Sequence, residues 1–227
     1  MGPIDLVVFD LAGTTIDDAG NAVLTSLLEA ARIHDLPGTP EELNAVMGMD
    51  KREVFAGLAA RKVPDADPTS VAALARDALA TFIASMRATY ERRLVPMPGA
   101  ETTFAFLRAR GIKIATDTGF DSVIGGLIME RLGWPGRLID LAVFSTDVAR
   151  GRPAPYMIFH AMEHLGVLDV RRVIKIGDSP ADLEEGTNAG CGEVIGVLSG
   201  AHTAATLGPV PHTRLIGSVA DLPALFS

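Results

Sequence analysis

The chain has 227 residues, 48% hydrophobic and 21% charged, which excludes intrinsic disorder and allows one domain and about half of another at roughly 150 residues each. Gly and Pro number 23 and 14, too few for a collagen-like or linker-like chain. A net charge of −8 with only 5% aromatic residues offers neither the basic stripe nor the stacking platform of a nucleic-acid binder, so no nucleic-acid partner is expected.

Ile4–Phe9 is a short β-branched run ending at Asp10 and predicts a buried strand. Helical spacing of Ala, Leu, Glu and Arg then predicts helices over Asn21–His34, Pro40–Met47, Asp50–Arg61 and Pro68–Arg92, separated by breakers such as Leu36-Pro37-Gly38. After Pro98-Gly99 an alternation begins: helix 99–110, strand 112–115, helix 121–132, strand 141–145, helix 155–165, strand 173–176, helix 180–189 and strand 194–197, with a further short strand at 215–217. Alternation of this kind implies an α/β fold, a Rossmann-like doubly wound parallel sheet, with an inserted all-helical cap. The core is expected over 1–16 and 97–227 and the cap over 17–96.

Ligands of such sheets bind beyond the carboxyl ends of the strands, and three polar signals fall there. Asp10 closes the first strand and is followed by Leu11-Ala12-Gly13-Thr14. Thr118 and Gly119 follow the second strand, where a hydroxyl can meet a phosphoryl oxygen. Gly177-Asp178-Ser179-Pro180-Ala181-Asp182 follows a third, with Ser179 as N-cap and Pro180 at the first helical position. Asp178 and Asp182 could simply cap that helix; Asp10 and Asp178 together present an all-oxygen donor set suited to Mg²⁺.

These residues resemble the haloacid dehalogenase superfamily and, within it, the phosphonatase-like branch. The family's ordered pattern is an Asp nucleophile, a Thr or Ser, a Lys or Arg, and Gly-Asp-x-x-x-Asp. It is matched by Asp10, Thr118, Arg152 and Gly177-Asp178 through Asp182. Two departures point to the branch: Ala12 stands where phosphatases of the superfamily carry a general-acid Asp, and Arg152, in Gly151-Arg152-Pro153-Ala154-Pro155, replaces the usual late Lys. In addition, Met47-Gly48-Met49-Asp50-Lys51 matches the segment whose Lys forms a Schiff base with phosphonoacetaldehyde. The resemblance implies Asp10 as nucleophile and Lys51 as the Schiff-base amine. It implies Mg²⁺ on Asp10, the Ala12 carbonyl and Asp178, phosphoryl binding by Thr118 and Arg152, and a supporting role for Asp182. It also implies self-association as a homodimer through the cap, for which the apolar stretch 71–84 could serve unless it packs inside the cap.

Ala12 and Lys51 make sense together. An alkoxide leaving group benefits from a general acid, whereas electrons released from a C–P bond can flow into an adjacent iminium. Asp50 reads as an N-cap with Glu53 as its capping-box partner, which puts Lys51 in the first helical turn. Two departures from the branch are Val54, where it has a His, and Phe120, where it has a Tyr. The reaction expected is cleavage of phosphonoacetaldehyde or a related 2-oxoalkylphosphonate; the alternatives are a phosphatase of small phosphate esters and a degenerate phosphometabolite binder. His160-Ala161-Met162-Glu163-His164 matches a metallopeptidase spacing but is read as two surface histidines on a solvated helix. Cys191, alone, excludes an intrachain disulfide and a multi-cysteine zinc site. With neither a basic-apolar leader nor a membrane-length apolar run, no membrane association and a cytoplasmic location are expected.

Overall fold

Leu6–Phe9 forms β1 at the centre of a sheet in the computed structural model, which describes residues 2–18 and 20–226. Side chains alternate along a strand, so Leu6 and Val8 enter one apolar layer while Val7 and Phe9 enter another. Both faces being covered explains why this strand reads as an unbroken apolar run.

Four cap helices follow: α1 (Ala22–Ile33), α2 (Pro40–Ala45), α3 (Lys51–Lys62) and α4 (Pro68–Arg92). The remainder alternates as α5 (Ala100–Arg108), β2 (Lys113–Thr118), α6 (Ser122–Leu132), β3 (Leu141–Phe144), α7 (Tyr156–Leu165), β4 (Val173–Gly177), α8 (Pro180–Ala189), β5 (Glu193–Val197), α9 (Ala204–Leu207) and β6 (Arg214–Ile216). The strands are all parallel in the order β3-β2-β1-β4-β5-β6. Phe104 of α5 and Ile124 and Ile128 of α6 cover the Val7/Phe9 face, and Met157, Ile158 and Ala161 of α7 cover the other, so the sheet is doubly wound. Chain order reverses at β1, and the crevice beyond the carboxyl ends of β1, β2 and β4 is where this topology holds a ligand.

Two expectations differ from the structure. β2 runs on to Thr118 instead of ending at Ala115, because Thr116, Asp117 and Thr118 are polar yet buried. The short helix α9 falls in a segment that reads as loop. At the neck between helices and sheet, the two connections lie side by side: the Asp17 N–H donates to Val95 O and the Met97 N–H to Thr15 O, both at 2.9 Å. Within the 71–84 stretch, Ala75, Ala78 and Phe82 are buried in the cap core. Among the described residues no helix is long and apolar enough to cross a membrane.

Candidate active site

β1, β2 and β4 end at the same level, so Asp10, Thr118 and Asp178 converge. One cavity is lined by Asp10, Ala12, Thr118, Gly119, Phe120 and Asp178 from the core and by Val23, Met47, Gly48 and Lys51 from the cap. Its free space is about 30 Å³, room for little more than a water molecule. The cap is closed on the core. The Lys51 N–H donates to Gly119 O at 3.4 Å, and the Arg52 guanidinium reaches Ser145 O at 2.5 Å. The contact is tight enough to require glycine: a Cβ on Gly119 would lie 2.4 Å from Met49 O, and one on Gly151 would lie 2.7 Å from the Asp50 Cβ.

Asp50 does cap α3, accepting from the Arg52 N–H at 2.8 Å, but the expected capping box with Glu53 does not form. Arg52 folds back onto both Asp50 oxygens, and Glu53 instead pairs with Arg150 at 3.5 Å. Lys51, at the first position of that helix, is only 4% exposed, and its Nζ donates to Met49 O at 2.8 Å. Burial, and then the Arg152 charge, lowers its pKa to about 8 against the pull of Asp50, Asp10 and Asp18.

Arg152 is wholly buried and lies one layer beneath the cavity. Its Nη1 donates to Asp10 Oδ1 at 2.7 Å and pairs with Asp182 Oδ1 at 2.8 Å. Its Nε donates to Glu185 at 3.1 Å, and its Nη2 bonds both the carbonyl and the carboxylate of Asp117. Expected at the phosphoryl group, Arg152 meets the cavity only through Asp10. Asp182 closes a capping box with Ser179 at the start of α8 and turns its other oxygen to Arg152 and Lys175, so both its oxygens are engaged.

Lys175, in the middle of β4, escaped the sequence reading, as did its partners Asp117 and Glu185. Its ammonium pairs with Asp117, and with Asp182 and Glu185 at 3.1 Å each. The only available signal was a lysine inside the apolar run Val173-Ile174-Lys175-Ile176. Burial would raise Asp117, but Arg152 and Lys175 bring it down to about 2. Burial, followed by the Asp117 charge, pushes the Glu185 carboxyl well above its ordinary value, against the pull of Lys175 and Arg152. Burial and Asp182 raise Asp10 to about 6 even though Arg152 and Lys175 oppose them.

Asp178 accepts from the Ala201 N–H at 2.7 Å, and burial followed by Asp10 and Asp182 holds it well above its ordinary value. Gly13, at φ +88°, lets the loop after β1 pass so close that a Cβ would sit 2.6 Å from Asp178 Oδ2. One oxygen each of Asp10, Asp178 and Asp182 lies within 4.8 Å of the others. Crowded, buried, all-oxygen donors fit a hard divalent cation such as Mg²⁺, whose charge would relieve the repulsion. Asp18, at the neck, is a further group the sequence reading missed; burial raises it to about 7 against a hydrogen bond from the Val23 N–H. His202 joins the core to the cap, its two ring nitrogens 3.2 Å from Asp178 O and Asn44 O. His160 and His164 stack on α7 at 4.0 Å and take no part in the cavity.

A parallel sheet of this order, with a buried aspartate at its switch point and a cation-anchored acidic cluster behind it, defines a hydrolase-type α/β core under a helical cap. A family model described as haloacid dehalogenase-like hydrolase matches residues 4–190, and the chain belongs to that family. Among curated relatives it is 31% identical over 251 residues to the phosphonoacetaldehyde hydrolase of Hahella chejuensis, covering 98% of this chain and 85% of that one. It is 31% identical over 201 residues to the enzyme of the same name from Syntrophobacter fumaroxidans, covering 83% and 70%. A crystal structure of a phosphonoacetaldehyde hydrolase-like protein from Oleispira antarctica superposes with a TM-score of 0.79 at 23% identity, over 99% of this chain and 91% of that one.

Proposed function

We propose that this protein hydrolyses the C–P bond of phosphonoacetaldehyde or a related 2-oxoalkylphosphonate. The observation that carries this reading is the Lys51 amine, buried in the same cavity as the Asp10 carboxylate and with its pKa brought to about 8 by burial and Arg152. About one such amine in ten is unprotonated at pH 7, enough to attack an aldehyde. The similarity to phosphonoacetaldehyde hydrolases supports the same substrate class.

The neutral Lys51 Nζ adds to the substrate carbonyl and, with one proton taken up from solvent, water leaves, giving an iminium. An Asp10 oxygen then attacks phosphorus. The C–P bond breaks, and its electron pair moves into the carbon–carbon bond next to the iminium, leaving an enamine on Lys51 and an acyl phosphate on Asp10. One water hydrolyses the acyl phosphate; the enamine takes up a proton, and a second water releases the carbonyl product. Ala12 suits this route, because the departing electrons need no general acid. Arg152 and Lys175 hold Asp10 and its neighbours in place from below. Thr118 Oγ1 accepts from the Phe120 N–H at 3.2 Å, which leaves its own proton for a phosphoryl oxygen. Asp10, the Ala12 carbonyl and Asp178 would hold Mg²⁺, which when bound neutralises charge on the transferring phosphoryl group. With so little free space in the closed cavity, substrate entry requires the cap to open.

The test is incubation with phosphonoacetaldehyde and Mg²⁺, following phosphate and acetaldehyde release, with and without borohydride. Expected are release of both products, loss of activity on reduction and an adduct on Lys51; Asp10→Asn, the control, loses activity by about 10³-fold or more. A second reading, phosphatase action on a small ester, is favoured by the three carboxylates that stabilise Lys51 as an ammonium: Asp50, Asp10 and Asp18. Ester turnover undiminished by borohydride would establish it.

A further inference from the structure

Arg52 stands beside Lys51 in the first turn of α3 but is not among the residues lining the cavity. Its side chain is 40% exposed, and an exposed arginine paired with a nearby aspartate ordinarily contributes little. Here the guanidinium does more than pair. Nε lies 3.1 and 3.0 Å from the two Asp50 oxygens and Nη2 lies 2.6 Å from Oδ2, so the carboxylate grips one edge of the fork. The same Nη2 donates from cap to core, to Ser145 O at 2.5 Å.

The two sets of bonds differ in what movement of the cap does to them. Asp50 and Arg52 both belong to the cap, so their pairing survives opening and keeps the guanidinium ordered. The bond to Ser145 belongs to the closed form alone. A donor ordered in advance makes its contact with little further loss of side-chain freedom. A contact made in only one of two states is what shifts the balance between them. Ser145 follows β3 directly and is buried; its N–H donates to Phe120 O at 2.9 Å, and the Phe120 N–H donates to Thr118 Oγ1 at 3.2 Å. Through Ser145 the clasp rests on the loop that lines the cavity with Thr118, Gly119 and Phe120.

We propose that Arg52 is a positioning residue: its guanidinium, held ready by Asp50, clasps Ser145 O and keeps Lys51 seated in the closed cavity. It touches no reacting atom. The role is the same for an aldehyde or an ester substrate, and its test needs neither.

Acetylation of amines by a succinimidyl ester, resolved lysine by lysine by mass spectrometry, reads the clasp in the free protein. Lys51 is 4% exposed and becomes reachable when the cap opens, whereas Lys175, wholly buried in the core, becomes reachable only on unfolding. Lys62, at the far end of α3, is the reference. Arg52→Met keeps an apolar stem and removes the donors. Relative to Lys62, Lys51 should be acetylated about 10-fold faster than in wild type, with Lys175 as protected as before. Removing a positive neighbour favours the ammonium form of Lys51 and slows its acetylation, so a faster rate reports access and not acidity. Should Arg52→Met also expose Lys175, Arg52→Gln, with a neutral amide on a shorter stem, is judged by the same criteria. A gain at Lys51 smaller than about 3-fold in a variant that protects Lys175, or exposure of Lys175 in both variants, overturns the proposal.

Discussion

The chemistry proposed for this protein depends on charges held where water cannot reach them. Lys51 is the clearest instance: its folded-state pKa of about 8 lies below the ordinary 10.5. The folded state therefore binds fewer protons than the unfolded chain between those values, so stability rises with pH across that window. Below about pH 8 the full cost of burying the ammonium is present. Lys51→Met is accordingly expected to raise the melting temperature at pH 7, with the gain shrinking toward pH 10.5; thermal melts at a series of pH values check this. Imine formation with an aldehyde should follow the same titration, its rate climbing to a plateau above about pH 8.

The two buried cations and their carboxylates give a second prediction at this scale. Lys175→Met leaves Asp117, Asp182 and Glu185 with Arg152 as their one remaining cation and should cost about 3–5 kcal/mol in urea denaturation. Glu185→Gln should cost less than Lys175→Met, because burial and the Asp117 charge push the Glu185 carboxyl up whereas Lys175 pairs with all three carboxylates. Equal losses in the two variants would show that the cluster's charge is arranged differently.

Among the elements, the N-terminus of α3 and the loop after β2 decide whether the site is assembled. α3 presents Lys51 only when Gly48-Met49-Asp50 presses against Gly119, where a methyl group would stand 2.6 Å from Gly48 O. Gly119 does not have a positive φ, so alanine strains closure and not the strand itself. Gly119→Ala should keep the melting temperature of the core, open the cap and reduce kcat/KM by at least about 10-fold. Small-angle scattering beside steady-state kinetics distinguishes an opened cap from a damaged core. The same junction explains one limit of the sequence reading. Asp50 and Glu53 have capping-box spacing, yet Arg52 occupies Asp50 and Arg150 draws Glu53 away, and spacing along a helix carries no information about Arg150.

At the scale of the whole molecule, the acidic balance of the chain is resolved locally. Asp178 and Asp10 repel each other at the end of the sheet, and a divalent cation bound there would turn that repulsion into affinity. Asp178→Asn is therefore expected to raise the melting temperature of the metal-free protein above that of wild type in EDTA. Wild type should gain stability on addition of millimolar Mg²⁺ and the variant much less, as differential scanning fluorimetry would show. Apolar alternation and breaker residues determined the order of strands and helices and the insertion of helices after β1, because those signals are local and periodic. The motif residues at the strand ends, Asp10, Thr118 and Asp178, were legible for the same reason. Only the tertiary structure decided the depth of Arg152, the burial of Lys175, Asp117 and Glu185, and the reach of Arg52 from Asp50 to Ser145. Each depends on residues far apart in the chain being brought together away from solvent, and a charge or hydroxyl has the same letter in a sequence whether water or protein surrounds it.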